Sequence, residues 1–284
     1  MKTTLDFISA KGAAMPLLGN QYFTVTEIEG FTTVSNNIAS VVVPFVDGDT
    51  VTNIQAQPRS VVIYLRLKQS AGIENAKRYI MQYVKPKLTG TLQLQQGERN
   101  IQLSGLVEEI DLPRFEQGNT MAITLHCSQP YWQDVDFVVQ EISEIIDLHY
   151  FPIPEGGLAF PPEGVPFGEY DDDLTQELTN NGDVETGLVI TIIAAGEVVN
   201  PKIYNTLTGD YIGINDTLQG NDEVTICTIK GSKTITKNGQ NVIDKIMSGS
   251  TFLQLGIGTN EFTIEAESGI DNVYFTLTYK QLYV

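Results

Sequence analysis

Asn272-Val-Tyr-Phe-Thr-Leu-Thr-Tyr-Lys-Gln-Leu-Tyr-Val284 is the stretch whose reading decides the fold. It is long and apolar on one face, because Val273, Phe275, Leu277 and Tyr279 fall on alternate positions. Period-two alternation is the mark of a strand with one buried side. Such a strand pairs into a sheet rather than dangling. Upstream of it, residues 186–284 offer more segments of the same kind, at 188–194, 200–205, 210–214, 222–229, 232–237, 251–255 and 260–266. Thr208-Gly209-Asp210, Gly220-Asn221-Asp222 and Asn238-Gly239 supply the turns. Short strands at this spacing predict an antiparallel β-sandwich. No internal repeat of fixed period runs through it.

Before this sandwich the composition changes. No Lys or Arg occurs between Arg114 and Lys202, while 16 acidic residues do, Asp171-Asp172-Asp173 among them. The interval contains Phe151-Pro-Ile-Pro-Glu-Gly-Gly-Leu-Ala-Phe-Pro-Pro-Glu-Gly-Val-Pro-Phe-Gly168. Proline fixes φ and removes a donor, so this is neither helix nor central strand. The apolar load of Phe151, Ile153, Leu158, Phe160, Val165 and Phe167 exceeds what a free spacer carries. The reading is an ordered arm docked on its own surface or a neighbour's, against the plainer reading of a surface linker with scattered aromatics.

Residues 1–130 read mostly as strands, at 22–29, 60–68, 91–96, 100–103 and 121–127, with turns at Asp47-Gly48 and Gly97. One segment departs from this. Ile73, Ala76, Ile80, Tyr83 and Val84 fall at helical spacing, and Pro86 ends the run. The expected architecture is therefore mainly β. An N-terminal split barrel or β-sandwich with one helix spans 1–132, an acidic Pro/Gly-rich arm or linker 133–185, and a C-terminal antiparallel β-sandwich 186–284.

Charge narrows the function classes. With 17 Lys and Arg against 35 Asp and Glu, the formal net charge is −18. Nucleic-acid binders gather cations to displace counterions from phosphate, so this balance points away from them and from anionic membrane surfaces. Asp6 and Lys11 interrupt any apolar signal core, and the longest apolar runs are far short of the roughly 20 residues of a spanning helix. Cys127 and Cys227 sit in strand-like patterns and read as two buried free thiols.

The search for chemistry finds little. His126 and His149 lack partners at ligand spacing and read as structural, and no serine lies on a nucleophile elbow. A calcium loop beginning at Asp171 would need Gly and Glu where Gln176 and Gly182 stand. Leu255-Gly-Ile-Gly258 precedes a strand and reads as a turn, not a dinucleotide loop. Glu108 and Glu109 are adjacent on a strand and diverge, a poor acid/base pair. The expectation is no catalytic residue, no metal site and no cofactor. Tyr204, Tyr211 and Tyr274 are candidate platforms for stacking a sugar, against the plainer reading of half-buried strand packing.

In order along the chain, several blocks resemble the distal tail protein of siphophages. They include Tyr22-Phe-Thr-Val-Thr-Glu-Ile-Glu-Gly30, Pro58-Arg-Ser-Val-Val-Ile-Tyr-Leu65 and Glu74-Asn-Ala-Lys-Arg-Tyr-Ile-Met81. Ala122-Ile-Thr-Leu-His-Cys-Ser-Gln-Pro-Tyr-Trp132, Phe151-Pro-Ile-Pro-Glu-Gly-Gly-Leu-Ala-Phe-Pro161 and Leu253-Gln-Leu-Gly-Ile-Gly-Thr-Asn260 continue the series. The resemblance implies an N-terminal belt domain that assembles into a hexameric ring, single or double, and a galectin-like C-terminal sandwich. It implies a baseplate hub in the virion, made in the host bacterial cytoplasm. Its implied partners are its own copies, the tail tube protein, the tail-tip protein and receptor-binding proteins, with DNA passing through the lumen unbound and no membrane involved. Phe151, Pro152, Ile153, Leu158, Phe160 and Phe167 of the arm, and Lys77, Arg78 and Tyr79 of the helix, are the expected interface residues. The alternative functions are a carbohydrate-binding module in the sandwich and a polysaccharide-degrading tail enzyme.

Overall fold

Alternation builds the N-terminal sheet. In the computed structural model, which describes residues 3–32, 34–45, 47–112, 119–142, 145, 146, 169, 170 and 174–284, Arg59, Val61, Ile63, Leu65 and Leu67 are buried while Ser60 and Arg66 between them are exposed. The strands are β1 (Thr3–Ser9), β2 (Ala14–Pro16), β3 (Phe23–Glu29), β4 (Asn36–Val41), β5 (Thr50–Ala56), β6 (Arg59–Leu67), β7 (Thr89–Gln96), β8 (Arg99–Asp111), β9 (Thr120–Cys127) and β10 (Trp132–Asp134). The main sheet runs β2-β1-β7-β8-β9-β6-β3, with neighbours antiparallel throughout. Strand β10 adds to β8. Phe7, Leu92, Leu103, Ile123 and Leu125 share the buried face.

Helix α1 (Ile73–Tyr83) covers that face. Ala76, Ile80 and Val84 are fully buried, as the 3-4-4 spacing requires of one helical stripe. Pro86 cannot continue the helix, and Val84 already has extended backbone. Gly90 lets β7 pass beneath Phe7, since a Cβ there would lie 2.3 Å from the ring.

The second compact unit spans Asp136–Gln281. Its strands are β11 (Val138–Ile142), β12 (Ile145–Ile146), β13 (Glu169–Tyr170), β14 (Thr175–Asn180), β15 (Thr186–Gly187), β16 (Val189–Ala194), β17 (Val198–Val199), β18 (Lys202–Asn205), β19 (Tyr211–Gly213), β20 (Thr217–Leu218), β21 (Glu223–Cys227), β22 (Thr234–Lys237), β23 (Gln240–Asn241), β24 (Gln254–Leu255), β25 (Gly258–Glu265) and β26 (Val273–Tyr279). A six-stranded sheet runs β11-β26-β16-β21-β22-β23 and a four-stranded one β14-β25-β18-β19. Ile190, Ile192, Ile226, Phe275 and Leu277 of the first meet Ile203, Ile212, Phe262 and Ile264 of the second in one core. That is the antiparallel sandwich the alternation predicts.

Two boundaries differ from the sequence reading. Strands β11 and β14 fall inside the interval read as arm, and each pairs within the sandwich unit. The stretch read as one strand over 272–283 is two. After β26 the chain leaves the six-stranded sheet, and β27 (Leu282–Tyr283) pairs with β10. The N-terminal unit is thus Met1–Val135 plus Leu282–Val284. Cys127 is buried, whereas Cys227 is half-buried rather than buried, because its side chain points to the outer face of β21. Both are free thiols.

Candidate assembly surface

The feature of the N-terminal unit that packing inside the chain does not explain is a hairpin. Among the described residues, strands β4 and β5 pair only with each other. Every residue of β4 is exposed, and so is every residue of β5 but the last. Exposure on both faces leaves Ile38, Val41, Val42, Val43, Val51 and Ile54 in solvent. Phe45 at the tip is fully exposed and has φ 68, a left-handed conformation that a bulky side chain adopts only at a cost. An isolated two-stranded hairpin is marginal in water, and a flat apolar one invites pairing.

The root of this hairpin, by contrast, is fixed. The Phe31 carbonyl accepts from the Trp132 indole N–H at 3.1 Å and from Arg59 Nη1 at 3.0 Å. The Phe31 and Trp132 rings meet edge to face at 4.9 Å. Arg59 is buried, and its Nε and Nη2 have no hydrogen-bond partner among the described residues. Burial lowers its pKa, opposed by Cys127. Burial also pushes the Cys127 thiol up to about 11, with Arg59 opposing, so this thiol is unreactive at neutral pH.

On α1 the three interface candidates separate. Lys77 is held by Glu74 at 3.1 Å. Tyr79 is half-buried and stacks on Tyr22 with centroids 4.3 Å apart. Burial, then a hydrogen bond with Tyr83, raises the Tyr79 pKa. Arg78 is exposed and has no ion-pair partner among the described residues. Arg78, Tyr22, Tyr79, Asn75, Gln82 and Gln21 border an open cleft of about 610 Å³. Sequence reasoning named the helix residues but missed this cleft, since Gln21 and Tyr22 lie some 50 residues away in the chain. The arm candidates Phe151, Pro152, Ile153, Leu158, Phe160 and Phe167 lie outside the described residues, as do His149 and Asp171–Asp173.

In the sandwich unit the tyrosines also separate. Tyr204 and Tyr211 are cross-strand partners on β18 and β19, with centroids 5.3 Å apart. Lys202 bonds the Tyr204 hydroxyl and Glu265, and the Tyr211 hydroxyl donates to the Ser248 carbonyl at 2.6 Å. Tyr274 sits on β26 in the other sheet, opposite Ile193, and so forms no part of that pair. Among the described residues no group of His, Cys, Asp and Glu could hold a metal ion, and no helix is long and apolar enough to cross a membrane.

Residues 181–283 match the family model of the siphovirus-type tail component, C-terminal domain. This chain carries that match over little more than a third of its length. Its fold, over the full length of both chains, is that of the Dit protein of phage SPP1, at 12% identity and a TM-score of 0.66. That protein is described as a paradigm of the hub adsorption apparatus in phages infecting Gram-positive bacteria. A chain of the phage P2 baseplate, in its activated conformation with Ca, is more distant, at 10% identity over 98% of each chain and a TM-score of 0.49. No curated protein sequence matches. The family match thus falls on the sandwich unit, and the N-terminal unit is similar to that protein in fold alone.

Proposed function

We propose that this chain is a siphophage tail component, the baseplate hub. Six copies close into a ring, one or two rings per tail, which joins the tail tube to the tail-tip protein and carries receptor-binding proteins. The observation that carries this reading is the hairpin β4–β5, a rooted, apolar element with both faces exposed among the described residues. Covering it with neighbouring copies stabilises it by about 25 cal/mol per Å² of apolar surface removed from water. A cyclic ring needs one heterologous interface whose rotation closes. The distal-tail fold supports the hub, and the scarcity of catalytic constellations fits an architectural part.

Six copies at −18 each bring −108 formal charges to the ring. A lumen lined by acids and amides repels duplex DNA and lets it pass. Sizing chromatography with light scattering on the full chain, and antibody labelling of intact particles by electron microscopy, test the reading. A hexamer or double hexamer and label at the far end of the tube are expected. Label elsewhere on the particle overturns it.

A second reading has one observation in its favour. Tyr204 and Tyr211 form a fixed aromatic pair flanked by Lys202 and Glu265, the kind of platform on which pyranose rings stack. Calorimetric titration of the full chain with host cell-wall glycans tests it. Binding that Tyr211→Ala abolishes supports it, and no heat with any glycan removes it.

A further inference from the structure

Charge in this acidic chain is not evenly spread. Residues 66–87 hold six of the 17 cations, Arg66, Lys68, Lys77, Arg78, Lys85 and Lys87, against one acid, Glu74. The hairpin segment 36–56 holds no cation, and its tip carries Asp47 and Asp49, both exposed. The cleft beside α1 lies in the cationic stretch. Arg78 stands there without an ion-pair partner among the described residues, beside the Tyr22–Tyr79 stack and the side-chain amides of Asn75 and Gln82. The tip meanwhile holds Phe45 fully exposed in a strained conformation. Strain of this kind persists where a contact is to be made.

We propose that the cleft beside α1 receives the hairpin tip of a second copy of this chain. Asp47 or Asp49 pairs with Arg78, the Phe45 ring lies against the Tyr22–Tyr79 stack, and Asn75 and Gln82 bond the backbone of the tip. The tip does not occupy the cleft of its own chain, because Phe45 is in solvent there. Cleft and tip are different patches, so the contact made once per pair of copies is head-to-tail, the type that generates a ring. The inference rests on the ring reading and names the contact that closes it.

The test is made on the full chain with Cys227→Ser, leaving buried Cys127 in place. Thr50→Cys at the tip side of β5 is combined with Gln82→Cys at the cleft, and each is also made alone. Mild oxidation of the double variant gives a ladder of disulfide-linked dimers and higher multiples, absent from either single variant. Arg78→Glu weakens association about tenfold or more, and adding Asp47→Lys and Asp49→Lys restores it. If the native chain assembles by light scattering yet no ladder forms and Arg78→Glu assembles normally, the docking is overturned and the ring stands. A ladder from a chain that runs as a monomer upholds the docking and counts against a stable ring. A monomer with no ladder overturns both.

Discussion

Asp222 shows how single side chains hold the sandwich unit together. Its carboxylate accepts from the Gln219 backbone N–H at 2.9 Å and the Asn238 amide at 2.8 Å, and pairs with Lys237 at 3.0 Å. Those bonds, the backbone one first, hold its pKa down at about 2. Asp216 is desolvated, which works against ionisation. Hydrogen bonds from Lys245 and Lys237 outweigh that and lower its pKa as well. A carboxylate with a depressed folded pKa stabilises above its unfolded value and loses that contribution as pH falls through the folded one. Unfolding followed from pH 7 downward should therefore show stability falling between about pH 4 and 2. Asp222→Asn should flatten that fall and cost about 1 kcal/mol at pH 7, after discount for its partial exposure. A second residue-scale test is Gly90→Ala. The new methyl would lie 2.3 Å from the buried Phe7 ring, so a loss of about 2 kcal/mol is expected in denaturant melts. An unchanged midpoint would mean the ring moves freely.

At the scale of elements, α1 and the hairpin respond in opposite ways to removal of apolar groups. Ile80 is fully buried under α1, and Ile80→Ala should cost about 3 kcal/mol of stability in the monomer. Ile38 and Ile54 face each other across β4 and β5 and are both exposed. Replacing both by Thr should leave the melting temperature of the monomer within about 2 °C, as surface changes do. It should, however, shift sizing chromatography toward smaller species. The reverse pattern, a large thermal loss with assembly intact, would place the hairpin's role inside one chain.

At the scale of the molecule, the chain's end belongs to the unit where the chain begins. Tyr283 pairs with Trp132, its hydroxyl bonds Asp134 at 3.1 Å, and the Arg99 guanidinium lies 4.6 Å from its ring centroid. Leu282 is buried alongside. Removing residues 282–284 should lower the stability of the N-terminal unit by about 3 kcal/mol, from one buried Leu, one hydrogen bond and one cation–π contact. The sandwich, which keeps β26, should melt unchanged. Scanning calorimetry separates the two transitions, and a shift in the sandwich transition instead would contradict this division. The same topology means that the N-terminal unit is completed only once Leu282 and Tyr283 have been made.

What the sequence determined by itself is periodicity and its consequences. Alternation in 60–67, 121–127, 189–194 and 273–279 fixed strands and their buried faces. The 3-4-4 spacing of Ile73, Ala76, Ile80 and Val84 fixed the helix, and Asn238-Gly239 fixed a turn whose two residues both take positive φ. These are short-range properties, set by which side of a local backbone meets water. Strands β4 and β5 escaped that reading because neither face is buried, so their sequence carries no single-sided pattern. The pairing of Tyr204 with Tyr211, the exclusion of Tyr274, the cleft joining Tyr22 to Arg78, and the return of Leu282 and Tyr283 to β10 were decided by tertiary structure alone. Each depends on which strand lies beside which, and that is settled by burying whole faces together, an energy no local window contains.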